Sequence, residues 1–237
     1  MPSPRRFRAG PGLTLSAIVG TLILLGLGTW QVQRLAWKTA LIAMVEARAA
    51  EAPVPVEQAL ADPDTADYRP VTATGHYRHE GAQSIGTAAW QGELGARLVT
   101  PLVLADGRTI LVERGWLPYG QLPPAVPAEL EPQGEVRLEG KLRDRRQDHA
   151  GLFTPANAPA ARHWYWYDWP ALTSAVGGPL EPLVLTLDKG DTGGELPRPL
   201  PLRVDLPNNH LGYAITWYGL AAALVAVYLV FAFRREE

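Results

Sequence analysis

The sequence predicts an α+β membrane protein: two transmembrane helices, one at each end, flanking a mainly antiparallel β extracytoplasmic domain. Three observations lead there. No charged residue falls between Arg8 and Arg34, none falls between Asp205 and Arg234, and the chain between these runs breaks into short alternating stretches punctuated by Gly and Pro.

The first run has its core in "LTLSAIVGTLILLGLGTW", Leu13 to Trp30, which as a helix is roughly 27 Å long, close to the hydrocarbon thickness of a bilayer. The last, "LGYAITWYGLAAALVAVYLVFAF", gives roughly 34 Å, enough to span with some tilt. A secretory signal peptide is the alternative for the first run, because Arg5, Arg6 and Arg8 precede it and "ARA" at 47–49 resembles a cleavage site. The helical pattern continues past the apolar core through "WQVQRLAWKTALIAMVEA", which favours a retained anchor.

Arg5, Arg6 and Arg8 before the first span, with Arg234 and Arg235 after the second, place both termini in the cytoplasm by the positive-inside tendency. Arg34 and Lys38 argue weakly the other way, but they open a segment far longer than the loops to which that tendency applies. The middle is then periplasmic in a bacterium, or faces the intermembrane space of a mitochondrion. The expected divisions are a basic tail at 1–12, the first span at 13–33, a helical extension at 34–52, a β-rich domain at 53–189, a Pro/Gly-rich linker at 190–209, the second span at 210–233 and a tail at 234–237.

Within the middle, "YRPVTATGHYR" from Tyr68, "EVRLEGKLR" from Glu135 and "PLVLTLD" from Pro182 read as strands. "RLVTPLVLADGRTILVERGWLP" from Arg97 reads as a hairpin turning at Ala105-Asp106-Gly107. Helical pieces are expected near Val56 to Leu60 and Trp169 to Val176. The segment from Gly190, "GDTGGELPRPLPLRVDLP", reads as an extended connection.

Composition excludes several chemistries. The 237 residues contain no cysteine, which removes disulfides, thiolate metal sites and covalent haem attachment. A net charge of −2 gives no electrostatic footprint for nucleic acid. The four serines (Ser3, Ser16, Ser84, Ser174) lack a nucleophile-elbow context, and neither a phosphate-binding glycine loop nor a His-x-x-x-His pair occurs. His76 and His79 lie three apart in a strand-like stretch, so their side chains are expected on opposite faces. With Met44 the only methionine beyond Met1, copper delivery is also disfavoured. Enzymatic activity is not expected.

Two aromatic clusters remain. Trp30, Arg34, Trp37 and Leu41 recur at helical spacing and share a face at the membrane edge, serving as interfacial anchors or as a docking surface. In "RHWYWYDW", residues 162–169, strand alternation sends Trp164 and Trp166 one way and Tyr165 and Tyr167 the other. These pack the core or, if one face is exposed, dock a partner.

His210 stands at the start of the second span. At 100° per residue it shares a face with Tyr213, Ala214, Trp217 and Ala221, while Gly212, Thr216, Gly219, Ala223 and Ala226 lie opposite. Small residues allow close helix approach, so the small face is expected to pack on the first span at Ala17, Thr21 and Gly28, with the His210 face pointing away. Asn208 or Asn209 is a natural N-cap. In the first turn the helix dipole favours neutral imidazole, so His210 is either a ligand for iron or an interfacial polar residue.

"LGTWQVQRLAWK", "YRPVTATGHY", "TPLVLADGRTILVERGWLP", "FTPANAPAARHWYWYDW" and "LPNNHLGYAITWYGLA", in that order from about Gly28 to Ala222, resemble the surfeit locus family of cytochrome c oxidase assembly factors. The resemblance implies an inner-membrane protein that binds haem a and aids its insertion into the catalytic subunit I of haem-copper oxidases, with haem a synthase, subunit I and the lipid bilayer as partners and no nucleic acid. It also implies that His210 ligates the haem iron, with Tyr213, Trp217 and Tyr218 around it. Trp30, Arg34, Trp37, Trp164 and Trp166 are the expected docking residues of a rival, a scaffold that bridges synthase and subunit I without binding haem. A haem-modifying enzyme, a third possibility, lacks acid–base and redox machinery. Glu113 stands where many relatives carry asparagine, an exchange that a solvent-facing strand end tolerates. Arg114, Gly115 and Trp116 are expected to shape the strand exit and pack the domain on the membrane.

Overall fold

A computed structural model describes residues 9–200 and 209–233. The arginines of both tails, Asn208 and the linker residues 201–208 lie outside the described residues. The chain divides into two compact units, Val45–Arg203 and the pair of terminal segments Met1–Met44 and Val204–Glu237.

The terminal unit is built on α1 (Pro11–Ala49), which leaves this unit after Met44, and on a second long helix, His210–Ala232. Pro11 occupies the first helical position, where its missing N–H costs nothing. The helix ends at Ala49, short of the expected Ala52. Both helices are long and apolar enough to cross a membrane. They run antiparallel: the Thr14 hydroxyl lies 2.9 Å from that of Tyr228, and the Thr29 hydroxyl 3.1 Å from that of Tyr218.

The contact face is the reverse of the expected one. Ala214 and Ala221 are buried, whereas nothing lies within 4 Å of the position where a side chain would begin at Gly212 or Gly219. Polar partners decide this, because hydroxyls on an apolar helix gain most by pairing with one another, and Tyr218 and Tyr228 find theirs on α1. The expected α1 surface does face the pair at Gly28, where an added Cβ would stand 2.8 Å from the Tyr218 ring. Gly28→Ala should therefore cost about 1–3 kcal/mol by overpacking, while Gly219→Ala should be neutral; melting temperatures in detergent compare the two directly.

The other unit is a single sheet, and it is mixed. After the short β1 (Val54–Pro55) and α2 (Val56–Leu60) come β2 (Pro70–Tyr77), β3 (Gln83–Trp90), β4 (Glu93–Leu104), β5 (Thr109–Pro118) and β6 (Glu135–Asp144). β7 (His163–Trp164), α3 (Trp169–Val176) and β8 (Leu183–Leu187) complete it, so the second terminal helix is α4. The longer ladders, β2 with β6, β3 with β4 and β4 with β5, are antiparallel; β1 with β2, β3 with β7 and β5 with β8 are parallel. A further antiparallel pairing, Gly75↔Leu104 to Tyr77↔Leu102, joins β2 to β4 and closes β2, β6, β8, β5 and β4 into a ring. The hairpin turn falls where expected, with Gly107 at φ +84°.

Strand alternation fills the ring. Leu183, Leu185 and Leu187 of β8 join Ile110, Val112, Val71, Ala73 and Leu138 in one core, which Val56, Ala59 and Leu60 of α2 also enter. Val184 and Leu111 face the opposite way, onto Trp164, Tyr167, Leu172 and Val176. That outer layer places α3, whose N-cap Asp168 accepts from the Ala171 amide at 3.2 Å.

The aromatic run is not a continuous strand. Only His163 and Trp164 pair with β3. Beyond them Asn157 Oδ1 accepts from the Tyr165 amide at 2.7 Å, and Asp148 Oδ2 from the Tyr167 amide at 3.0 Å. Side chains thus take the hydrogen bonds that a neighbouring strand would need, and the chain turns so that Trp164 and Tyr167, rather than Trp164 and Trp166, are buried.

Candidate functional site

At its entry, α4 presents His210 to α1. Its Nδ1 lies 2.7 Å from Oε1 of Gln31. An amide oxygen only accepts, so Nδ1 is the donor, and in neutral imidazole Nε2 then keeps the lone pair that ligates a metal. His210 is half-buried and Gln31 is buried. Asn209 occupies the N-cap position, but its side chain caps no amide.

The expected companions of His210 divide. Trp217 shares its stripe and is half-buried, whereas Tyr213 is 56% exposed. Tyr218 lies against α1 at Gly28 with its hydroxyl on Thr29. Eight residues at 1.5 Å each put Tyr218 about 12 Å along the helix from His210. There it heads an open, apolar groove of about 460 Å³, lined by Thr21, Leu25, Ala221, Val225 and Leu229 among others. The four residues therefore form a stripe along α4 rather than one ring around a point.

Trp30 and Trp37 are 54% and 52% exposed, and the Arg34 guanidinium sits 4.1 Å above the Trp37 ring. These three form one outward face of α1. Trp164 does not join them as a docking residue: it is fully buried, with its indole N–H donating to Gln83 Oε1 at 2.9 Å. Trp166 is half-buried.

His79 and His149 have backbone partners within the β unit. His79 lies outside the strand that holds His76, in a 3₁₀ turn, so the two are not strand neighbours, and its Nε2 meets the Pro132 carbonyl at 2.8 Å. His149 Nδ1 meets the Gln147 carbonyl at 2.8 Å. Among the described residues no three His, Asp or Glu side chains gather to hold a metal ion.

Sequence reasoning missed a buried polar cluster around "ERGW". Arg114 and Asp191 form an ion pair at 2.6 Å with side-chain exposures of 1% and 2%. The Tyr77 hydroxyl donates to Asp191 at 2.8 Å, and the Arg114 guanidinium lies over the Tyr77 ring and donates to the Leu130 carbonyl. Burial, and then the Asp191 carboxylate, push the Tyr77 phenol well above its ordinary range, so it stays a neutral donor. Gly115, at φ +134°, lets the backbone pass against the Arg198 carbonyl, where any Cβ would collide. Trp116 and Arg198 exchange backbone hydrogen bonds at 2.7 and 2.9 Å.

Three expectations change accordingly. Arg114, Gly115 and Trp116 are internal to the β unit. The stretch from Gly190 to Leu200 is clasped to that unit through Asp191 and Arg198 instead of running free. Glu113 is not solvent-facing: it is 6% exposed, with Arg97 3.7 Å away.

Two terminal apolar helices and a closed β unit with a clasped return segment define the class of this protein. A family model described as the SURF1 family matches residues 18–222. Surfeit locus protein 1 of Xenopus tropicalis is 35% identical over 215 residues, covering 83% of this chain and 68% of the relative. Its human counterpart is 36% identical over 222 residues, 84% and 70% of the two chains. A SURF1-like protein of Monosiga brevicollis is 33% identical over 235 residues, 94% and 88%. The chain belongs to the SURF1 family.

Proposed function

We propose that this chain is a non-enzymatic assembly factor for a haem-copper terminal oxidase, cytochrome c oxidase, that binds haem a and aids its insertion into subunit I. The observation that carries the reading is the His210–Gln31 contact, which engages Nδ1 and leaves Nε2 as the ring nitrogen for a metal, on an apolar helix pair. Haem a fits this donor chemistry: His210 would hold it, and the group would supply the iron that Nε2 ligates. Trp217 lies on the same stripe, and the groove headed by Tyr218 offers apolar surface along the helices.

In this reading both helices cross the bacterial inner membrane, with the termini in the cytoplasm and the β unit in the periplasm. The protein takes haem a from haem a synthase and meets subunit I there. The exposed Trp30, Arg34 and Trp37 face supports a second reading, a scaffold that bridges these two partners without touching haem, because exposed aromatics and arginine are typical interface anchors.

One preparation separates the two. The protein, co-expressed with the haem a synthesis enzymes and purified in detergent, should show a reduced haem a band that His210→Ala abolishes while the variant still reaches the membrane. Full haem content in His210→Ala removes His210 as ligand, and the absence of a band in both favours the scaffold.

A further inference from the structure

We propose that Gln31 is a positioning residue for the haem ligand, fixing His210 as the Nδ1–H tautomer and raising the donor strength of Nε2. The inference rests on the reading of His210 as that ligand. Gln31 is 9% exposed, a buried amide on a helix whose turns from Leu13 to Trp30 carry no charge. A buried amide needs a partner, and His210 supplies one from the opposite helix at 2.7 Å.

Free neutral imidazole prefers its proton on Nε2, the nitrogen that would otherwise face a metal. An oxygen that accepts only from Nδ1 reverses that preference before any ligand arrives. Metal-bound histidines generally donate their other N–H to such an acceptor, and losing it typically weakens metal binding about 10–100-fold. The same hydrogen bond makes the imidazole more electron-rich, which lowers the reduction potential of the iron it ligates. Because the two groups come from different helices, the ligand is fully formed only while α1 and α4 are paired.

Two measurements on the full chain in detergent test this. In the haem-free protein, ¹⁵N-histidine NMR should show His210 protonated on Nδ1, with its signals assigned among the five histidines by their loss in His210→Ala. Gln31→Leu should move that proton to Nε2. With haem a added, Gln31→Leu should bind about 10–100-fold more weakly and at a higher reduction potential. Gln31→Glu, which keeps an oxygen acceptor, should retain haem at a potential equal to or below the parent's. Thr14→Val removes a different inter-helix bond, to Tyr228, without touching His210 or the groove headed by Tyr218 and should match the parent.

A parent His210 protonated on Nε2 overturns the assignment, and so does a Thr14→Val variant that behaves like Gln31→Leu. A parent with the Nδ1–H tautomer that takes up no haem a overturns the haem reading alone.

Discussion

Replacing Asp191 with alanine should destabilise the protein by about 3–5 kcal/mol, the range for removing one partner of a buried ion pair. The cause is what remains. The Arg114 guanidinium stays 1% exposed and keeps, among the described residues, the Leu130 carbonyl and the Tyr77 ring but no carboxylate, and the Tyr77 hydroxyl loses its acceptor. The clasp of residues 190–200 on β5 should loosen with it, because Asp191 and the Trp116–Arg198 bridge hold the same segment. Arg114→Lys should also be costly, since lysine cannot replace the two guanidinium contacts at 2.6 and 3.2 Å. Urea unfolding of the detergent-purified protein measures both variants, and a loss below about 1 kcal/mol for Asp191→Ala, the level of a surface pair, would contradict the buried clasp.

The second large effect is expected at Trp164. Truncation to alanine removes the largest fully buried side chain from the layer between the sheet and α3 and strands Gln83 Oε1 in a site where Gln83 is itself 1% exposed. A cost of about 3–5 kcal/mol follows from the cavity, with the unpartnered oxygen adding to it. Trp164→Phe, which refills most of the volume, should recover much of that loss and leave the hydrogen-bond penalty. If Trp164 were a docking residue, both variants would instead keep parental stability and lose a partner.

What the sequence revealed and what it hid follow from how local the deciding contacts are. The terminal helices are legible because charge-free runs of that length have few other folded outcomes, and α3 is legible because Asp168 and Pro170 mark its start. β3 escaped notice because "GTAA" in its middle carries no alternation, although Gln91 and Gly92, both at positive φ, turn it back onto β4. Ring closure escaped as well, since Gly75 to Tyr77 pair with residues far along the chain.

The same holds for the site. His210 is visible as a lone imidazole at a helix start, but Gln31 gains meaning only from its place opposite. The rule that small residues mark helix contacts pointed to Gly212 and Gly219, yet three polar side chains on the other face of α4, His210, Tyr218 and Tyr228, found partners on α1 in Gln31, Thr29 and Thr14. Asp191 stood in a Pro/Gly-rich segment that reads as a tether, and its burial depends on an arginine 77 positions earlier.

The most direct test of haem carriage through His210 is chemical rescue. His210→Gly, purified from cells that make haem a, should lack the haem band and regain it when imidazole is added, because the small molecule supplies the nitrogen donor that the side chain provided. A His210→Gly protein that carries the full parental band without imidazole would contradict the account.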